Sequence, residues 1–531
     1  MITKLPMLLV FVPIIVSIFI YVTQRPRANL LAFAVQAVLI GVYLQILGRS
    51  DQISGQLFLV GGWTLESGIA LKLDALSMAF IGMALFIWTV VLFYLWPDHH
   101  NDHKFLFFFL FLQGTFLGLL LVNDLFSFFI FVEICTILIS ILVVYKKDGF
   151  SLRAGMYYLV INTMGMQAYV LGLVFVYKMT GTLNWDRATA ILASIGPTPG
   201  VIAGYVLMMS GICVKAAFAP TFNWLSRAHG AAPAPISTLL SALLVKAGLY
   251  GFIRISQLFG DLPLAGDFFL YLGFATALSG TFVAIAQKDI KQLLASSTVS
   301  QVGLILIGVS QFGSPAYYGG LVHMVAHAGF KSVLFMGAGL IINGYGGERR
   351  LTDIRGVRHR YPVMSLIMGI AILSIIGTPF LSGYPGKYII GESLRGAPVL
   401  FWLFQLLGLG TMIYYLKFAQ IFLPEASPRR VSQKPNLPMA AGAALCIVLP
   451  YAYGSLGTLL GLDLPVVSLF SLEKLIIWAL SAVVAVAFFR SFIFSDYLTP
   501  LMHRIREINV PFYVTAYMFL SLIAIMFVFT L

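Results

Sequence analysis

The chain has 531 residues, 60% of them hydrophobic and only 10% charged, with a formal net charge of +13 and a mean hydropathy of +0.94. Soluble domains carry about a quarter charged residues, so this composition excludes one and specifies a protein that crosses a membrane many times. The basic excess does not indicate a nucleic-acid binder, because Lys and Arg lie in short segments between apolar runs, the footprint of membrane topology.

Apolar runs of about 18–25 residues, separated by polar breaks, each have the length needed to span a bilayer. In chain order they predict helices near 5–22, 29–47, 75–96, 104–122, 124–145, 155–177, 199–219, 235–258, 266–286, 292–310, 316–342, 362–395 (interrupted), 399–422, 437–453, 472–494 and 511–530. The first run lacks a small-residue cleavage site and is expected to be retained as a helix. Residues 52–73 are less apolar, contain Gly-Gly-Trp, and read as an extracytoplasmic hairpin.

Lys and Arg alternate in density along these loops. The odd-numbered loops hold 20, among them Arg25, Arg27, Lys146, Arg227, Lys288, Lys291, Arg349 and Lys434, and the even-numbered loops hold 7. By the positive-inside rule the odd loops face the cytoplasm and both termini face out, giving a multi-pass protein of the inner (plasma) membrane. Cys135, Cys213 and Cys446 sit in apolar runs without C-x-x-C spacing, which supplies neither a disulfide framework nor a zinc or iron–sulfur site.

A short list of ionisable groups remains inside the predicted spans: Glu133, Lys215, Lys246, Lys331, Lys387 and Lys417, with His323 and His327. A charge at the bilayer centre costs several kcal/mol, about 2.5 or more, and such groups usually face a bundle interior and mark ion or proton paths. Lysine suits this role because burial readily lowers its affinity for a proton. Lys215 precedes Pro220 and Lys387 lies in "GTPFLSGYPGKYII", so both are expected at interruptions of their helices. His323, His327 and Lys331 recur every four residues, which puts them on one helix face as a relay; a packed, hydrogen-bonded histidine pair is the plainer alternative. Lys246 is too deep to snorkel, whereas Lys417 lies near a helix end and could.

Two broken helices, each with a lysine, point to inverted repeats. The expected fold is therefore an all-α polytopic membrane protein of about 14–16 transmembrane helices with two inverted five-helix repeats, each with a broken helix. Residues 1–103 would supply N-terminal helices and the hairpin, 104–258 and 259–425 the two repeats, and 426–531 extra C-terminal helices.

The segments "NDLFSFFIFVE" (123–133), "FNWLSRAHGAAPAPISTLLSALLVKAGLYGFIR" (222–254), "KDIKQLLASSTVSQVGLILIG" (288–308) and "HMVAHAGFKSVLFMGAG" (323–339) resemble, in order, the signature segments of antiporter-like subunits. These occur in Mrp-type cation/proton antiporters, respiratory complex I and membrane-bound hydrogenases. The resemblance covers residues 70 to 425 and looks closest to the D-type component of Mrp complexes. It implies a glutamate on the fifth helix, lysines on the seventh and eighth, histidines or a lysine on the eleventh, and a lysine or glutamate on the twelfth. Here these are Glu133, Lys215, Lys246, His323, His327, Lys331 and Lys387. Two departures stand out. The usual W-L-P-D-A-H reads Trp224-Leu225-Ser226-Arg227-Ala228-His229, and two helices extend beyond residue 470.

The resemblance implies proton movement along a hydrated line, from Lys215 through Lys246 and the helix-eleven stripe towards Lys387. An ion pair of Glu133 with Lys215 would be worth roughly 4 kcal/mol at intermediate dielectric, enough to change the lysine's proton affinity by about 3 units. The expected setting is an Mrp-type complex that moves protons, with Na+ as counter-ion, beside other membrane subunits. The rivals are the same module driven by a redox arm of hydrogenase or quinone-reductase type, and a stand-alone solute transporter. No Gly-rich dinucleotide loop follows a strand and no cluster cysteines are present, so no cofactor or redox chemistry is expected on this chain.

Overall fold

The computed structural model describes residues 5–24, 28–61, 68–96, 102–260, 267–424, 437–465, 467–469, 471–492, 498–507 and 510–530. Arg25, Arg27, Arg429, Arg430 and Lys434 among the loop cations, Trp63 of the hairpin, and the expected boundary at residues 425 and 426 lie outside the described residues.

The helices are α1 (Leu5–Thr23), α2 (Ala28–Leu47), α3 (Ala75–Leu95), α4 (His103–Leu121), α5 (Leu125–Val143), α6 (Gly149–Thr180), α7a (Pro199–Lys215), α7b (Asn223–Ala231), α8 (Ala234–Phe259), α9 (Phe268–Ala286), α10 (Ile290–Val309), α11 (Pro315–Gly344), α12a (Pro362–Ile375), α12b (Gly383–Ser393), α13 (Pro398–Ala419), α14 (Leu437–Leu459), α15 (Leu472–Phe492) and α16 (Phe512–Thr530). Among the described residues 14 helices are long and apolar enough to cross a membrane, and α7a and α12a are shorter apolar segments. Each predicted span has its helix, and the protein is an all-α polytopic membrane protein. In the expected hairpin, Leu57–Leu59 pairs antiparallel with Ala70–Lys72.

Acids start these helices. Asp74, Asp102, Asp124, Asp148 and Asp289 are the N-caps of α3, α4, α5, α6 and α10, and each side chain accepts from an otherwise unpaired N–H of the first turn. This is where a membrane protein tolerates a carboxylate, at the helix end rather than mid-span. Glu133 is the exception.

Burial sorts the helices into a centre and a rim. The apolar window of α8 is wholly buried, that of α10 94% and that of α11 83%, whereas those of α15 and α16 are 6% and 22% buried. The outer helices turn residues such as Leu366, Val399 and Trp402 outward, as a lipid environment requires. In the centre, small residues bring backbones together. A Cβ on Gly303 of α10 would overlap the Ala277 backbone of α9, and one on Gly280 would overlap Ser300.

The C-terminal extension returns along the bundle. Ala485 of α15 packs on Met412 and Ile413 of α13. The short helix Leu498–Glu507 lies against α9, and α16 docks on α6 and α7a. There Tyr157 Oη and Thr515 Oγ1 are 2.8 Å apart, and Ser210 Oγ donates to Met526 Sδ at 3.3 Å.

Two outcomes are expected. Gly303→Leu should destabilise the protein by about 1–3 kcal/mol through overpacking, read as a lower thermal midpoint in detergent. Asp74 accepts from Arg254 Nη1 and Nη2 at 2.6 and 2.8 Å. Burial pushes its carboxyl up, but Arg254 and the bonds from Ser77 outweigh this and hold it below the usual carboxylate range. A depressed value means stability that is complete at neutral pH and is lost as pH falls through the folded-state value. Asp74→Asn should therefore cost about 1.5–3 kcal/mol at pH 7. Its deficit against wild type should narrow below the ordinary value of 3.8.

Candidate functional site

The two interrupted helices break in the same way. After Lys215, Ala217 takes φ +57°, its N–H bonds Val214 O at 3.1 Å, and Phe218 N–H reaches Cys213 O at 3.0 Å. After Ile375, Gly377 takes φ +83°, with bonds to Ser374 O at 3.0 Å and from Thr378 to Leu373 O at 3.1 Å. Left-handed backbone closes each half-helix; glycine accepts this freely, and alanine at a cost of about 1–2 kcal/mol. Cys213, Val214 and Ala217 thus correspond in order to Leu373, Ser374 and Gly377.

Both breaks carry a lysine, but at positions that do not correspond. Lys215 is the last residue of α7a, whereas Lys387 lies one turn into α12b. Lys387 instead reaches back, and its amine donates to Ile375 O at 2.6 Å. Ile375 is the residue that matches Lys215, so both amines gather at the C-terminal, electronegative end of a half-helix. The position matching Lys387 is Arg227. Its guanidinium leaves the interior, stacks on Tyr157 with 4.0 Å to the ring centroid, and donates to Val510 O at 2.7 Å.

Lys215 is buried, and its Nζ donates to Thr136 Oγ1 at 2.6 Å and Tyr158 Oη at 3.3 Å. The expected Glu133–Lys215 ion pair is not formed. Glu133 stands one turn before Thr136 on α5, accepts from Thr163 Oγ1 at 3.0 Å, and leaves its buried Oε1 without a partner among the described residues. The Thr136 hydroxyl occupies the place a carboxylate would take.

Lys246 is fully buried on α8, next to a π-turn over Leu240–Leu244. That wider turn releases a carbonyl, and Lys246 Nζ donates to Ser241 O at 2.5 Å while also contacting His327 Nδ1. His323 Nε2 meets Gln301 Oε1 at 2.9 Å, and Gln301 Nε2 donates to Thr411 and Tyr414. Lys331 donates to Leu294 O at 2.8 Å and Ser297 Oγ at 2.5 Å. The three α11 residues thus share one buried stripe that faces α8 and α10. Lys417 does not snorkel; it donates to Ile285 O at the end of α9.

Close backbone approaches join these stations. A Cβ on Gly248, two residues from Lys246, would overlap the Ala216 backbone beside Lys215. A Cβ on Gly386, next to Lys387, would lie 2.7 Å from the Cβ of His323. Glu133, Lys215, Lys246, His327, His323 and Lys387 therefore lie on successive contacting elements, with Lys331 a turn further along α11.

Residues 122–412 match the family model described as NADH:quinone oxidoreductase/Mrp antiporter, TM. The chain belongs to this family. It is 29% identical over 435 residues to the N-type component of the NADH-quinone oxidoreductase of Desulforudis audaxviator (strain MP104C), covering 78% of this chain and 86% of that one. It is 27% identical over 461 residues to the D-type component of the Na+/H+ antiporter of Bacillus subtilis (strain 168), covering 85% and 93%. Among solved structures, a chain of the membrane-bound sulfane sulfur reductase, an archaeal respiratory membrane complex, superposes with a TM-score of 0.81 at 25% identity, covering 90% of this chain and 99% of that one. The chain is thus an antiporter-like membrane subunit of the kind found in Mrp, complex I or related complexes.

Sequence reasoning missed several residues of this antiporter-family site. Lys291, counted as a loop cation, is buried in the first turn of α10 and donates to Ala232 O at 2.7 Å. His229 is fully buried. The hydroxyl and amide partners on α10 had a visible signal, since "ASSTVSQ" places five polar side chains in seven residues of a predicted span.

A buried amine costs more than the apolar side chain it displaces. Lys215→Met and Lys331→Met are accordingly expected to keep or slightly raise the thermal midpoint in detergent. A fall of more than about 3 °C, roughly 3 kcal/mol for a chain of this size, would mark the amine as structural.

Proposed function

We propose that the chain conducts protons along this buried line as one subunit of a multi-subunit complex in the cell membrane. The observation that carries the reading is the fully buried Lys246–His327 contact, with further titratable groups on either side. Ionisable groups inside a membrane bundle are expensive and are kept for transport. The proton would pass between Lys215 and Lys246, along His327 and His323, and on to Lys387. Thr136 makes the Glu133–Lys215 link switchable: rotation of one hydroxyl and a small shift of the amine would exchange a hydroxyl contact for an ion pair.

The Mrp-type reading, in which protons exchange for Na+, is supported by likeness to the Bacillus antiporter component over most of both chains. A second reading, drive by a redox partner, is supported by the quinone-oxidoreductase relative and by the likeness to the respiratory sulfane sulfur reductase chain. In either setting residues 104–258 and 259–425 act as two inverted repeats. Residues 1–103 frame them and 426–531 tie them together. The basic end, where Lys146, Lys288, Lys291 and Arg349 gather, faces the cytoplasm, and both termini face out.

Lys215→Ala should abolish proton-coupled transport in everted vesicles while the tagged complex still purifies intact; wild-type transport in that variant refutes the reading. Identifying the proteins that purify with the chain separates the two drivers.

A further inference from the structure

We propose that His229 carries protons between the basic end of the bundle and the buried lysines, an inference that rests on the proton-conducting reading above. Along α11, His323, His327, Lys331, Phe335 and Gly339 recur every four residues, a row that winds about 40° around the helix per step so that each neighbours the next. The first three are polar. Gly339 lines a cavity of about 340 Å3 that is bordered by Lys146, Lys291 and Arg349. On this row Phe335 stands between Lys331 and the cavity-lining Gly339.

His229, from α7b, lies flat on Phe335, with ring centroids 4.5 Å apart and 11° between planes. It is fully buried, and neither Nδ1 nor Nε2 has a hydrogen-bond partner among the described residues. Two unpaired nitrogens in a dry site are costly, and phenylalanine would stack on Phe335 without that cost. Lys331 and Lys291 approach this stack through the residues beside it. On one side the Lys331 amine stands 5.9 Å from the centre of the Phe335 ring. On the other, Lys291 donates to Ala232 O, three residues beyond His229, and lines the cavity together with Ala234. A polar cavity of this size admits water.

The step balances and leaves the imidazole neutral, with the charge passed on to Lys331. One imidazole nitrogen accepts a proton from hydronium in the cavity, leaving water. The other nitrogen releases its proton to the neutral amine of Lys331, which becomes ammonium. The ring ends as the opposite neutral tautomer, and a second exchange or a ring flip resets it. A carrier that hands the charge on fits a place close to Lys291 and Lys331, where a further retained cation would be repelled.

The test uses the whole complex in everted vesicles. His229→Phe keeps the stacking and removes the nitrogens. It is expected to purify in normal amount with an unchanged thermal midpoint, and to lose transport at least about tenfold, in line with loss of a proton-transfer group. Millimolar imidazole added to vesicles bearing His229→Ala should restore transport, an effect a packing role would not produce. Transport by His229→Phe within about twofold of wild type overturns the proposal, and so does absence of imidazole rescue. If His229→Phe does not assemble, His229→Gln is read by the same two criteria. A vesicle series in which Lys215→Ala is inactive and His229→Phe active overturns this proposal alone, whereas an active Lys215→Ala removes the reading beneath it.

Discussion

An amine inside a lipid-embedded bundle needs an oxygen, and in a regular helix every carbonyl is already engaged. This chain meets that constraint for four of its lysines by placing them where helices end or deform. Lys387 uses the last carbonyl region of α12a, Lys246 the π-turn in α8, Lys291 the C-cap of α7b and Lys417 the end of α9. The same irregularities that interrupt the backbone ladder thus create the acceptors, and for Lys387, Lys291 and Lys417 the negative end of a helix dipole adds to them. Lys215 differs: it sits at such an end but hands its protons to the hydroxyls of Thr136 and Tyr158. Hydroxyls can reorient and carbonyls cannot, which makes Lys215 the least firmly held of the buried amines.

The two departures from the family pattern have one structural explanation. Arg227, standing where the family carries an acid, bonds Val510 O at the head of α16 and stacks on Tyr157, which in turn meets Thr515. The extra C-terminal helices and the altered motif are therefore two sides of one contact. The extension packs on α13, crosses α9 with the amphipathic segment Leu498–Glu507, and ends on α7a.

Much of this architecture was legible in the residues. Hydropathy located every span because bilayer thickness sets a length that no soluble fold imitates. Pro220 and the Gly/Pro cluster around Lys387 marked both interruptions, since each disables the helical ladder. What the sequence did not reveal were relations across helices. The four-residue spacing put His323, His327 and Lys331 on a face but could not say that Lys246 would meet His327. Lys291 read as a loop cation because three residues from a helix start look the same whether the helix begins in water or under a neighbour. The Glu133–Lys215 pair, expected to open and close, stands open here by about one helical turn, a distance hydropathy does not resolve. His229 was hidden inside a motif whose neighbouring changes drew the eye.

Gly248 and Gly386 carry a mechanical consequence. At both, backbone touches backbone, with no side chain between to absorb displacement. A half-helix that tilts when its terminal amine changes charge must therefore push the adjoining helix bodily, as one gear tooth drives the next. The central line would then behave as a geared train in which each station senses the setting of the one before it, and inserting even a methyl at either tooth would jam it.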